Sequence, residues 1–235
     1  MDSKVEKRKI FFNQSYKDLK NRLNINKINL NIIRNKVILD FGCGGGRYSS
    51  ALLKIGAKTV DGFDFKKKPK DFPKNINYFR NILLSKKISK KYDFIFCNGI
   101  LSHREDWKSI IISLSKVLKK GGYLWLSLYP HSKYWKEIDK ITKNLKQTQQ
   151  KNFEHLMRMR DWEEGKIYFI SDILFSKRIY FKKEIIKFFL EKNKFINIKF
   201  LNRGIKNDLS EKVYKNLKYK KLFGHGEIRL IAKKL

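Results

Sequence analysis

Apolar positions change their spacing several times along this chain, and each change marks an element. Over residues 1–34 large apolar side chains, Phe12, Tyr16, Leu19 and Leu23 among them, recur three or four residues apart. That interval stacks side chains on one face of a helix, so one or two helices are predicted as a lead-in segment. From Lys36 the spacing collapses into Val37-Ile38-Leu39-Asp40-Phe41, a short and nearly unbroken apolar run. A strand covered on both faces of a parallel sheet needs such a run. Helical spacing returns at Arg47, and further strands are predicted over 59–65, 77–80, 92–97 and 123–129. A helix is predicted over 107–118, stopped by Gly121-Gly122, while Pro69 and Pro73 mark the link from Phe65 to Ile76 as loop. The alternation of strand and helix predicts a doubly wound α/β fold.

Beyond Pro130 the alternation breaks. Residues 131–180 keep a helical pattern and carry many large side chains, including Trp135, Phe153, Met157, Trp162, Tyr168 and Tyr180. A helix over 182–192 and strands over 196–201 and 227–232 then restore the α/β rhythm, giving seven strands in all. Residues 35–235 therefore read as one domain, with 131–180 as a helical insertion after the fifth strand. An insertion there sits above the carboxyl edge of the sheet, where ligands bind in such folds, so it reads as a substrate lid.

Composition narrows the class. The 235 residues suit one domain, and the content of 42% hydrophobic residues excludes a disordered tail. Cys43 and Cys97 are the only cysteines, which excludes a secreted disulfide scaffold. The longest charge-free stretches, such as 121–132, fall short of the ~20 residues of a bilayer span, and no apolar core of a signal peptide follows the first charges. A reduced, cytoplasmic chain is expected, with no metal.

A formal net charge of +33 invites a nucleic-acid reading. The 44 Lys outnumber the 11 Arg, however, and Lys, Ile and Asn together make 90 of the 235 residues. These three share A/T-rich codons, whereas phosphate recognition favours the bidentate fork of Arg. The Lys residues are also spread along the whole chain, as on a solvated surface.

The stretch VILDFGCGGG, residues 37–46, carries the most chemistry. A glycine turn between a buried strand and a helix lets backbone approach a ligand and presents helix N-terminal amides to it. Asp64 ends the next strand, 20 residues after Gly44, where a carboxylate can accept from ribose hydroxyls. A dinucleotide fingerprint would place its third glycine at 47, which is Arg47.

Asp40 followed by Gly42-x-Gly44-x-Gly46 resembles motif I of the class I S-adenosylmethionine-dependent methyltransferases. TVDGFDF resembles their second-strand motif, YDFIFCNGILSH the fourth, and LKKGGYLWLSLY the turn and fifth strand. The resemblance spans roughly residues 35–130. It implies a seven-stranded, mostly parallel, Rossmann-like methyltransferase sheet and S-adenosyl-L-methionine as cofactor. It further implies that Gly42, Gly44 and Gly46 line the methionine and ribose side and that Asp40 orients the methionine amine. Asp64 would hold the ribose diol, Phe65 would pack on adenine, and Asn98 and Gly99 would border the methionine moiety. Asn81 stands where the family often has an Asp contacting the adenine amine.

His103 follows the fourth strand and reads either as general base on an acceptor hydroxyl or amine or as a loop histidine. Tyr129 and the insertion would help place the acceptor. Cys97 lacks the preceding Pro of cytosine-C5 enzymes and reads as a buried structural thiol close to Cys43. Asn98-Gly99-Ile100-Leu101 lacks the Pro-Pro-Tyr motif of amino-group methyltransferases. Asp161, Glu163 and Glu164 beside Trp162 read as a solvated helix end or a contact for a cationic substrate. A small-molecule acceptor is expected. The alternatives are RNA or protein as acceptor and a cofactor-binding module without transfer; the oligomeric state is left open.

Overall fold

The computed structural model describes residues 3–80 and 90–235. Within them seven strands form one sheet: β1 (Val37–Phe41), β2 (Thr59–Asp64), β3 (Asn77–Arg80), β4 (Tyr92–Asn98), β5 (Leu118–Leu128), β6 (Phe195–Phe200) and β7 (Ile228–Lys234). The order is β3-β2-β1-β4-β5-β7-β6. β1 to β5 are mutually parallel, and β7 runs antiparallel to both β5 and β6. The predicted mostly parallel, doubly wound architecture is thus observed. β2 lies on one side of β1 and β4 on the other, so the order in which strands are added reverses at β1, and a crevice opens at the carboxyl ends of these strands.

The apolar run at 37–41 is explained by what covers the sheet. Ile38, Phe94, Phe96 and Trp125 pack on one face against Leu19 and Leu23 of α1 (Ser3–Ile25) and Ala51 and Leu52 of α2 (Arg47–Ile55). Leu39, Phe41, Ile95 and Cys97 pack on the other. There they meet Ile110 and Leu114 of α3 (Trp107–Val117) and Ile186 and Leu190 of α7 (Lys183–Lys192). Alternation by two persists, but both faces are buried. The lead-in segment is a single helix followed by one short turn at Leu30–Ile32.

Gly121-Gly122 acts differently from its predicted role as a helix stop. α3 ends at Val117, β5 begins at once, and the glycines fall where pairing with β4 shifts register between Tyr92 and Phe94. A Cβ on Gly122 would stand 2.9 Å from the carbonyl oxygens of Asp93 and Lys119. The pair makes an irregular, bulge-like entry into the strand.

The insertion is three helices, α4 (Lys133–Thr142), α5 (Gln150–Met159) and α6 (Glu164–Phe175). Arg178, just beyond them, ties α4 to α6: its guanidinium donates to Asp139 at 2.8 Å and to the Ile173 carbonyl at 2.6 Å. A second excursion was not predicted. Between β6 and β7 lie α8 (Leu209–Lys215) and α9 (Lys220–Phe223), anchored by the buried carboxylate of Asp208 on Arg22 and Arg229.

Cys43 and Cys97, expected close together, pack in separate clusters. Cys43 lies with Phe72 and Ile76, and Cys97 lies on the α3 side of the sheet. Burial pushes both thiols well above their ordinary range. Both are free, and neither is a poised nucleophile.

Candidate active site

β1 ends at Phe41, and residues 42–46 turn the chain into α2. Gly42, Gly44 and Gly46 have φ of +85°, +50° and +81°, the left-handed region that favours glycine. The amides of Gly42 and Cys43 donate to the Phe63 carbonyl at 2.8 and 3.0 Å, pinning the turn to the end of β2. A Cβ on Gly42 would lie 2.6 Å from Ile100 Cβ, and one on Gly46 would lie 2.8 Å from Pro73 Cδ. At Gly44, Gly45 and Gly99 a Cβ would meet nothing within 4 Å. The turn is therefore packed against protein at its two ends and open at its middle.

Gly42→Ala is expected to cost about 2–4 kcal/mol, from the left-handed backbone and from crowding against Ile100. Gly45→Ala, with ordinary φ and open space, should stay within about 0.5 kcal/mol. Urea midpoints decide this, and equal losses in the two variants would refute it.

Asp64 closes β2 with both carboxylate oxygens engaged. Oδ2 accepts from the Gly44 amide and Oδ1 from the Lys66 amide, each at 2.9 Å. A carboxylate has about four acceptor positions, so each oxygen can take a further donor. Asp40 sits behind the turn, 2% exposed, accepting from the Ser49 hydroxyl at 2.6 Å. Burial, reinforced by the charge of Asp64, pushes its carboxyl up to about 7 against the relief given by Ser49.

Phe65 stands edge-on to Phe41 and Phe63, with the Arg104 guanidinium 4.3 Å above its ring. Gly99, φ +89°, follows Asn98 and donates its amide to the Ser127 carbonyl at 3.0 Å. Asn81 lies outside the described residues.

His103 ends the short turn Ile100–His103 after β4. Its Nδ1 is 2.7 Å from the Lys177 carbonyl oxygen and its Nε2 is 3.5 Å from Asp172 Oδ1. The Tyr129 hydroxyl donates to Asp172 Oδ2, and the Tyr129 ring meets His103 edge-on at 5.7 Å. The structure thus gathers His103, Tyr129 and the insertion, three features expected at the acceptor side.

Two further features had no sequence signal. Arg8 of α1 donates to the Gly45 carbonyl at 3.4 Å and pairs with Asp71 across the turn. Phe11 stacks on Tyr168 of α6 at 5.7 Å, so α1 meets the insertion over the glycine turn. Of the acidic residues beside Trp162, Asp161 pairs with Lys7 at 2.6 Å and Glu164 with Arg158 at 2.9 Å, while Glu163 is exposed to solvent. Among the described residues no cluster of three His, Cys, Asp or Glu could hold a metal. A hollow of about 450 Å³ lies at the other end of the sheet, lined by Lys36, Asp93 and Gly121. It lacks the glycine turn and both carboxylates, Asp40 and Asp64, which lie at the carboxyl edge.

A family model described as a methyltransferase domain matches residues 13–172, more than half of the chain. The chain belongs to this family, the class I S-adenosylmethionine-dependent methyltransferases its motifs resemble. Among curated relatives, the ubiquinone biosynthesis O-methyltransferase of Shewanella pealeana is 31% identical over 121 residues, which is 44% of this chain and 51% of the relative. Its namesake from Coxiella burnetii is 36% identical over 104 residues, 40% and 44% of the two chains. The chain thus spans about half the length of the curated relatives it matches. Magnesium protoporphyrin IX methyltransferase from Synechocystis, solved with bound SAH, superposes with TM-score 0.55 at 16% identity, over 100% of this chain and 89% of its own. A SAM-dependent methyltransferase from Archaeoglobus fulgidus gives 0.55 at 19%, over 85% and 86%. At these identities the two structures speak for the fold alone.

Proposed function

We propose that this chain transfers the methyl group of S-adenosylmethionine to a hydroxyl of a small molecule. The observation that carries this reading is the 42–46 turn. Its middle is open while Asp64 is bonded to the Gly44 amide at 2.9 Å beside that space. A nucleoside fits such a cradle, because backbone can approach it without side-chain interference and the carboxylate retains lone pairs for a diol.

Gly42, Gly44 and Gly46 border the methionine and ribose side, and Asp64 accepts from the ribose hydroxyls. Phe65 offers an apolar ring to the adenine. Asn98 and Gly99 border the methionine end, with Asn81 assigned to the adenine by resemblance. Asp40, behind the turn, stabilises the positive charge of the amine. The bound cofactor supplies an electrophilic methyl on a sulfonium. What the protein adds is alignment, which in well-oriented systems replaces a large entropic barrier.

The insertion at 131–180 lies over the carboxyl edge and serves as the lid for the acceptor. A hydroxyl acceptor is favoured because the curated relatives bear O-methyltransferase names. Two free, buried thiols suit a reducing compartment and support the cytoplasm. Among the described residues no helix is long and apolar enough to cross a membrane.

Calorimetry with S-adenosylhomocysteine tests the cofactor assignment. Wild type should bind it, and Asp64→Ala should weaken binding roughly 100-fold, since both the diol contacts and the hold on Gly44 go. Absence of binding by wild type would sink the reading. Labelled methyl transfer into fractionated cell extract then identifies the acceptor. Label in RNA or protein in place of small molecules would overturn the choice of acceptor while leaving the cofactor site standing.

A further inference from the structure

Resting on that methyltransferase reading, we infer that Asp172, carried by the insertion, is a positioning residue that makes His103 the base of the transfer. A backbone carbonyl only accepts, so the 2.7 Å contact to the Lys177 oxygen requires the proton of the neutral ring to sit on Nδ1. The lone pair is then on Nε2. Asp172 Oδ1 stands 3.5 Å from that nitrogen. A carboxylate that accepts at both oxygens has no proton to give the lone pair, which is left for the acceptor, and its negative charge faces the imidazolium that proton transfer creates.

Asp172 is itself fixed. Oδ2 accepts from the Tyr129 hydroxyl and Oδ1 from the Ser176 hydroxyl at 2.8 Å. Tyr129 cannot compete as base: burial, then the charge of Asp172, pushes its hydroxyl well above the ordinary range, and it stays a donor. Arg178 and Glu227 are the other charged groups felt at that ring, the first lowering and the second raising.

The two groups that set the His103 ring come from one piece of chain. Asp172 is in α6 and Lys177 follows it, while His103 belongs to the turn after β4. The joint between them is also fastened by backbone, the Ile179 amide donating to the Ser102 carbonyl at 2.7 Å, while the Ser102 hydroxyl accepts from the Tyr129 amide just past β5 at 2.9 Å. The insertion therefore does more than cover the acceptor.

In the step, the hydroxyl proton of the acceptor passes to Nε2 as an oxygen lone pair forms the new bond to the methyl carbon. The S–CH3 bond breaks with its electron pair staying on sulfur, leaving S-adenosylhomocysteine. The imidazolium so formed faces the Asp172 carboxylate and later returns its proton to water.

Two measurements test this. The chain has four histidines, so nitrogen NMR of 15N-histidine-labelled protein, compared with His103→Gln, isolates the His103 ring. Its neutral form should be the Nδ1–H tautomer, the less common one for a free imidazole; an Nε2–H tautomer overturns the inference. Asp172→Asn, which keeps an acceptor for Tyr129, should lower kcat for labelled transfer into the acceptor fraction roughly 10- to 100-fold. S-adenosylhomocysteine affinity should stay within about twofold. Unchanged kcat, or equal losses in kcat and affinity, would leave Asp172 a structural residue and overturn the inference. Failure of wild type to bind S-adenosylhomocysteine would instead strike the methyltransferase reading on which it rests.

Discussion

Asp208→Ala should destabilise the fold by about 3–5 kcal/mol at pH 7, as expected when one partner of a buried ion cluster is removed. Asp208 is 4% exposed and accepts from Arg22 Nε and Nη2 at 3.0 and 2.9 Å. It also pairs with Arg229 at 3.0 Å and accepts from the Ile205 amide at 2.9 Å. Its loss leaves two buried guanidinium groups short of an anion. Arg229 keeps Glu227 at 2.9 Å, but among the described residues Arg22 keeps only the Tyr48 hydroxyl at 3.4 Å.

The sign with pH follows from the carboxyl itself. Burial pushes it up, yet the hydrogen bond from Arg22 and the charges of Arg229 and Arg22 outweigh that and hold it below its ordinary value. A depressed acid contributes stability above its unfolded value, about 3.9, and loses it as pH falls through the folded one. The deficit of the variant should therefore be largest at neutral pH and shrink below about pH 4. Urea unfolding of both proteins at pH 7 and pH 3.5 checks this, and a deficit under about 1 kcal/mol at pH 7 would show that the cluster is solvated.

That cluster also shows where reading the sequence stopped. Strands buried on both faces announce themselves as apolar runs, so Val37–Phe41 and Tyr92–Asn98 were legible. The glycine turn was legible because three left-handed positions in five residues demand glycine. α8 and α9 went unread: their stretch is rich in Lys and Asn, and the buried charges Asp208 and Glu211 hold α8 in place of an apolar stripe. Pairings such as Arg22 with Asp208 join residues 186 apart and leave no local pattern. The same holds at the site. His103 was legible from its place after β4, but Asp172 and the Lys177 carbonyl reach it from some 70 residues on. Arg8 on Gly45 depends on how α1 crosses the turn.

Asp40→Asn should change how stability depends on pH more than any other single substitution at the site. With the folded value pushed up to about 7 by burial and by Asp64, the native state holds a proton that the unfolded chain releases near 3.9. A raised acid contributes stability that is full below its unfolded value and is lost as pH rises through the folded one. Between pH 4 and 7 wild type should thus lose up to about 1.4 kcal/mol per pH unit from this group, about 4 kcal/mol as an upper bound. Asn keeps an oxygen for the Ser49 hydroxyl and carries no charge to bury, so the variant lacks this slope. The stability difference, variant minus wild type, should rise from pH 5 to pH 8 by about 2–3 kcal/mol, with other groups cancelling in the subtraction. A difference independent of pH would mean that Asp40 is ionised throughout. Saturating S-adenosylhomocysteine adds a second arm. If the cofactor amine lies over Asp40, its charge favours the carboxylate, binding by wild type releases a proton near pH 6, and the same titration on Asp40→Asn releases none.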